Sequence, residues 1–226
     1  AVAVNLVSEF FINSSHPGSL ATMALKGARE GFITFAFTHA DSLMLSHNGI
    51  KPYFGTNPIC IAMPSNLEGP LFLDMATSAA AAGKLNLAAV RGDDVPEGWI
   101  LDNEGKPTTD PSSLKEGGVL LPLGGNEGHK GYGLSVMIEI FSGILTGLGF
   151  GHEPSGRHND GCFMAVFNVE AFLPLEQFKT EVTEFAKYLK SSSSRQGVEE
   201  VLYPGEIESK NISLNKASIY SDNTSS

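Results

Sequence analysis

The run Gly124 to Gly133, GGNEGHKGYG, feeding into the apolar segment Leu134 to Leu148, constrains this chain more than any other stretch. Five glycines surround Lys130, and the apolar segment behind them predicts a helix. Backbone N–H groups at a helix start, with no side chains crowding them, form a small positive pocket that holds a phosphate or a carboxylate. Lys130 would add a full charge there. The same run also fits a flexible glycine loop that caps a core helix and leaves Lys130 in water, and the spacing does not choose between the two readings. A Walker loop is excluded, because Gly131 follows Lys130 where a magnesium-ligating Ser or Thr would stand.

A chain of 226 residues, 42% hydrophobic and 18% charged, buries about 70% of its unfolded surface and supports one large or two small domains. Its formal net charge of -10, with no cluster of Lys and Arg, argues against a nucleic-acid partner. Cys60 and Cys162 lie far apart inside apolar runs, which suits buried free thiols in a reducing compartment, and the chain reads as cytoplasmic. No membrane association is expected: the longest apolar segment, Leu134 to Phe150, carries Glu139 and falls short of the ~20 residues a span needs. The first ten residues have no basic region and include Glu9, so a signal peptide is not expected.

Taken in order, Ala1 to Ile12 reads as a strand and Ser19 as the cap of a helix that Gly31 ends. His16 stands just ahead of that helix, where the positive helix end disfavours imidazolium and keeps a histidine ready to accept a proton; a plain surface-loop histidine fits equally. Further strands are predicted over Phe32 to Thr38, Ile59 to Met63 and Leu71 to Leu73, and Thr56 and Asn57 either orient a ligand or satisfy their own turn. Asp74, Met75, Ala76, Thr77 and Ser78 then lead into an alanine-rich helix expected to stop near Gly83. Asp74 could bind ribose hydroxyls and Thr77 or Ser78 an anion, or the hydroxyls could simply cap that helix.

Arg91 to Gly118 predicts a long polar excursion anchored by Trp99 and Ile100. Gly147, Gly149 and Gly151 follow a helix rather than open one, so they are not a dinucleotide fingerprint. His152, His158, Asp160 and Cys162 form a loop cluster whose spacing fits no compact ligand motif, and no metal is assigned to it. A strand over Cys162 to Val169 and a helix over Glu176 to Leu189 precede the Ser191 to Ser194 linker. The alternation of short strands and helices predicts an α/β fold, with residues 1–203 as the main body and 204–226 as a polar tail, partly disordered.

Six motifs carry the reading further. FGTNP (Phe54 to Pro58), LDMATS (Leu73 to Ser78), GWILDNEGKPTTDP (Gly98 to Pro111), LLPLGG (Leu120 to Gly125), HKGYGL (His129 to Leu134) and PGE (Pro204 to Glu206), in this order, resemble the malate/L-lactate dehydrogenase family, which also holds ureidoglycolate, sulfolactate and diketogulonate oxidoreductases. The resemblance implies a mixed sheet with flanking helices, distinct from the Rossmann fold, and an NAD- or NADP-dependent oxidoreductase interconverting a 2-hydroxy acid and a 2-keto acid, as a homodimer. It implies His16 as proton acceptor. It implies cofactor contacts at Ala40, at Asp74, Met75 and Ala76, at Lys130 and Gly131, and at Pro204, Gly205 and Glu206.

The departures are specific. Ser15 and Pro17 flank His16 where the family has Asn and a bulky aromatic. At the family's Thr-Asn-Ser turn the chain reads Thr38, His39, Ala40, which loses a hydroxyl that Asp41 or Ser42 would have to replace. About a hundred further residues are expected ahead of Ala1, carrying the substrate-binding arginine. The alternative reading is a truncated, non-catalytic remnant that binds a small anion or a protein partner. A metal-dependent hydrolase built on His152 and His158 stands third.

Overall fold

Strand β2 (Phe32–Thr38) buries Thr34, Ala36 and Thr38 on one side, and Phe35 and Phe37 point the other way. This is the two-residue period of a strand covered on both faces. Its neighbour β5 (Ile59–Met63) buries Cys60 and Ala62 on the side of Ala36. The small side chains let helix α1 (Ala21–Arg29) lie close, with Leu20, Ala24, Leu25 and Ala28 packed onto Ala36, Ala62, Phe72 and Cys162. Gly27 is required by that approach, since a Cβ there would stand 2.2 Å from Thr34 Oγ1. Each fully buried leucine, such as Leu20, contributes about 1.5–3 kcal/mol.

These elements belong to a computed structural model that describes residues 7–14, 18–151 and 160–211. Sheet A has the order β1-β10-β2-β5-β6, with β1 (Val7–Ser14), β10 (Asp160–Asn168) and β6 (Leu71–Met75), and every pairing in it is antiparallel. Sheet B has the order β4-β3-β9-β7-β8, formed by β3 (Met44–Leu45), β4 (Pro52–Phe54), β7 (Ile100–Leu101), β8 (Pro107–Thr108) and β9 (Val119–Leu120), and pairs β3 with β9 in parallel. Its core is Met44, Ala80, Leu85, Val95, Ile100 and Leu120. The fold is α/β, with one antiparallel sheet, one mixed sheet and flanking helices, and it is not a Rossmann fold.

The polar stretch from Arg91 to Gly118 therefore supplies strands β7 and β8 and a 3-10 turn over Pro111–Glu116, held by buried Val95 and Ile100. The alanine-rich helix begins where it was expected to stop. Helix α2 spans Ala82–Arg91 and ends at Gly92 in the left-handed region. Residues ahead of it cannot be helical because Thr77 N–H and Ala79 N–H donate to Thr56 O and Leu121 O, and Ser78 bridges Pro122.

Helix α3 (His129–Glu139) continues as a π-helical turn over Ile140–Ile144. Its apolar sequence suggests a helix buried all round, but much of it is exposed. Gly131, Ser135, Glu139 and Ser142 face inward beside Ile138, while Leu134, Met137, Ile144 and Leu145 are exposed. Small and polar residues face the body because the backbones approach closely: a Cβ on Gly161 would stand 1.9 Å from Ser142 O. Helix α4 (Leu175–Lys190) turns Val182, Ala186 and Leu189 inward but leaves Phe185 57% exposed.

Residues 204–211, grouped with the polar tail by composition, pack on the body. A turn at Pro204 and Gly205 opens a helix over 206–211. Gly205 adopts φ +84 and lies so close to β6 that a Cβ would meet Phe72 Cδ1 at 2.5 Å. Glu206 is 5% exposed and accepts from Lys190 Nζ, at 2.5 Å, and from Tyr203 N–H, while Lys210 Nζ lies 3.0 Å from it.

Candidate active site

The chain passes between the two sheets at Thr38 to Leu43, at Phe54 to Pro58 and again at Met75 to Ala80, and these crossings meet. Asn57 lies at the centre, fully buried, with φ +34. Its Oδ1 accepts from Ala40 N–H at 3.1 Å, and its Nδ2 donates to Ser135 O at 3.2 Å and to Glu139 Oε2 at 2.7 Å. The Thr56 and Asn57 carbonyls accept from the Thr77 hydroxyl, each at 3.1 Å. Asn57 thus orients no ligand directly. It joins the Ala40 turn to α3, and its backbone joins both to the segment after Ala76.

From Thr77 the connection runs on to the glycine bend. Leu123 N–H donates to Thr77 O, and Gly131 N–H donates to Leu123 O. A Cβ on Gly131 would meet Leu123 O at 2.3 Å, so glycine is required for the helix to start against that turn. Lys130 is on the first turn of α3, mostly exposed, with its ammonium 3.0 Å from the Glu127 carboxylate. Its charge is therefore shared with an acid one turn earlier, and the Gly131 donor is spent within the protein.

Asp74, expected to serve a ribose or stand ahead of α2, does something else. Its Oδ2 accepts from the Ser19 hydroxyl at 2.9 Å and from Ala21 N–H at 3.0 Å. It caps α1 across the sheet, where a negative charge complements the helix dipole. Ser19 does not cap the helix with its own side chain; it donates to the residue that does. The hydroxyls of Thr77 and Ser78 are not available to an anion: Thr77 donates to the two carbonyls named above, and Ser78 donates to Ala80 O at 2.7 Å.

A cavity of about 620 Å³ opens beside Asp74, lined by Ser19, Thr22, Lys26, Arg29, Phe72 and Glu208 among others. A second, of about 230 Å³, lies between Asp74 and Pro204, Gly205 and Ile207. The larger falls in the size range of small-molecule sites, and its hydroxyls and cations suit a phosphorylated, hydroxyl-rich molecule. Glu206 turns away, into the lysine pair. Burial works against its charge, yet the hydrogen bonds from Lys190, Lys210 and Tyr203 N–H prevail and hold its carboxyl below the ordinary value.

Near Ala40, His39 Nδ1 accepts from Gly161 N–H at 3.2 Å, and the Ser42 hydroxyl is buried without a partner among the described residues. His16 lies outside the described residues, as do His152 and His158. The chain on either side of His16 is placed: Ser14 pairs with Asp160, and Ser19 reaches Asp74. Cys60 and Cys162 are buried free thiols. Burial, with the Asp74 charge adding to it, pushes Cys60 up to about 12, and burial pushes Cys162 up to about 11, so neither is a thiolate nucleophile at neutral pH.

The family profile described as malate/L-lactate dehydrogenase matches residues 9–219. The chain belongs to this family. It is 40% identical over 202 residues to malate dehydrogenase of Pyrococcus horikoshii, covering 86% of this chain and 56% of that one. To L-sulfolactate dehydrogenase of Methanothermobacter thermautotrophicus it is 38% identical over 211 residues, covering 91% and 59%. The crystal structure of malate dehydrogenase from Entamoeba histolytica superposes with a TM-score of 0.86 at 32% identity, covering 91% of this chain and 62% of that one. The chain thus spans somewhat over half the length of these relatives.

The sequence missed Glu139 and the role of Asn57. One signal was present. Glu139 is the lone charge in the apolar run Leu134 to Phe150, and a lone charge inside such a helix needs a buried partner.

Proposed function

We propose that this chain is the cofactor-binding and catalytic region, residues 1–203 with the packed start of the tail, of an oxidoreductase that acts on a small 2-hydroxy or 2-keto acid of the malate or lactate kind. The observation that carries the reading is convergence. The segments implied as cofactor contacts, at Ala40, at Asp74 to Ala76, at Lys130 and Gly131 and at Pro204 and Gly205, are joined to one another through Asn57, Thr77, Leu123 and Phe72. NAD or NADP would supply hydride acceptance and return at this place. Asp74 Oδ1 would face the ribose, and Lys130 would offset the diphosphate charge. His16 would take the substrate hydroxyl proton, three residues before the serine that holds Asp74.

Titrating NADH and NADPH to millimolar concentration while following their fluorescence tests the reading directly. Saturable change is expected; a flat trace with both cofactors overturns it. We further infer a cytoplasmic enzyme, supported by the two buried free thiols, and a homodimer, supported by the exposed apolar ridge on α3. No described helix is long and apolar enough to cross a membrane. The pairing of Lys130 with Glu127 and that same ridge favour the second reading, a non-catalytic chain that binds a protein partner. A flat titration combined with a stable, folded chain would support it.

A further inference from the structure

Glu139 is 4% exposed, and among the described residues it has no cationic partner. A buried carboxylate without a cation is costly, and it persists only where hydrogen bonds hold it. Both of its oxygens are held: Oε2 accepts from Asn57 Nδ2 at 2.7 Å, and Oε1 accepts from Gly151 N–H at 2.8 Å. Asn57 adopts φ +34, a region that non-glycine residues seldom occupy and that persists where the surroundings enforce it. The fit around it is tight, since a Cβ on Gly55 would meet Ala40 O at 2.2 Å and Asn57 Oδ1 at 2.7 Å. The hydroxyls of Ser135, on the inner face of α3, and of Ser142, in the π-helical turn, are buried without partners among the described residues. Stability alone would favour apolar residues here, so this polar seam calls for another reason.

We propose that Asn57 and Glu139 are a positioning pair for the cofactor. Their hydrogen bond sets the Ala40 turn against the helix that carries Lys130 and Gly131, and the Asn57 backbone locks both to the segment after Ala76 through Thr77. Glu139 carries the same constraint to Gly151, on the far side of the π-helical turn. Neither side chain touches the cofactor. They act by fixing the spacing of three segments that do, and so the inference rests on the reading of those segments given above.

The hydrogen bond can be reversed. In Asn57→Asp a carboxylate faces the Glu139 carboxylate, and in Glu139→Gln one of the two accepted bonds is lost. In the double variant, the Gln amide can donate to the new Asp while its carbonyl still accepts from Gly151, and only the weaker bond to Ser135 O stays lost. NADH and NADPH titrations of the full chain, run well below each variant's unfolding temperature, should give a dissociation constant raised about tenfold or more in each single variant and recovered to within about threefold in the double. Single variants that bind as the wild type does, with only their unfolding temperature lowered, would reduce the pair to a structural role and overturn the proposal. A wild-type chain that binds neither cofactor removes the underlying reading and this inference with it. If Asn57→Asp does not fold, Glu139→Asp decides by the same titration. It keeps the charge but is one methylene too short to reach Asn57 and Gly151 together, so unchanged binding overturns the proposal and weakened binding supports it.

Discussion

Glu127 competes with any anion for Lys130. The pair is exposed, and exposed ion pairs are worth about 0–1 kcal/mol, so an incoming diphosphate can displace the glutamate. Glu127→Gln should therefore tighten NAD(P)H binding by about two- to fivefold, and Lys130→Ala should weaken it, both effects shrinking as salt is raised. Fluorescence titration at two ionic strengths reads this, and equal affinities in all three proteins would remove Lys130 from the site. His16→Ala should abolish turnover while leaving the cofactor dissociation constant unchanged, as measured in an assay with a 2-hydroxy acid panel. The glycines of the bend separate by packing. Gly131→Ala drives a Cβ into Leu123 backbone atoms and should cost about 2 kcal/mol or more, whereas Gly133, with nothing near its Cβ position, should gain about 0.5–1 kcal/mol on becoming alanine. Thermal unfolding of the two variants checks the contrast. Only the need for glycine here was legible in sequence; which glycines matter depends on how the turn folds the Leu123 backbone onto the first turn of α3.

At the scale of elements, the C-terminal segment is held to α4 by a cluster of Lys190, Glu200, Glu206 and Lys210. Hydrogen bonds from Lys190 and Lys210 hold the Glu200 carboxyl at about 2, and Glu206 is lowered as described. A carboxyl lowered in the folded state contributes stability above its unfolded value of about 4.3, and that contribution is lost as pH falls through the folded value. The 204–211 segment should therefore loosen between about pH 4 and pH 2, read as loss of hydrogen-exchange protection at Glu206 and Ser209, whose N–H groups donate to Tyr203 O and Gly205 O. Protection unchanged over that range would mean that the Gly205 packing on Phe72, and not the ion pairs, holds the segment. Strands β2 and β5 match the boundaries predicted for them, because each is a short apolar run bounded by turn residues and covered on two faces. The start of α2 was misplaced for the opposite reason: alanines 79 to 82 favour a helix locally, but Thr56 and Leu121 claim the N–H groups ahead of it.

For the whole molecule, α3 and the π-helical turn after it present Leu134, Met137, Ile144 and Leu145 to the outside, an apolar ridge of the kind that marks an interface. If the proposed homodimer uses it, the wild-type chain should sediment as a dimer and Leu145→Glu as a monomer; a monomeric wild type at tens of micromolar would refute this use of the ridge. The sequence by itself determined the family, through six ordered motifs, and with it an α/β fold and the segments to inspect. It also located the five strands of sheet A, whose apolar runs are local signals, but none of the two- and three-residue strands of sheet B, which are too short to carry a pattern of their own. Only the tertiary structure decided that Asp74 caps a helix 53 residues earlier, that Asn57 and Glu139 join the crossings between the sheets, and that α3 turns its polar side inward. Those outcomes depend on which donors and acceptors distant segments bring together once the chain is compact. No local window of sequence contains both halves of such a bond.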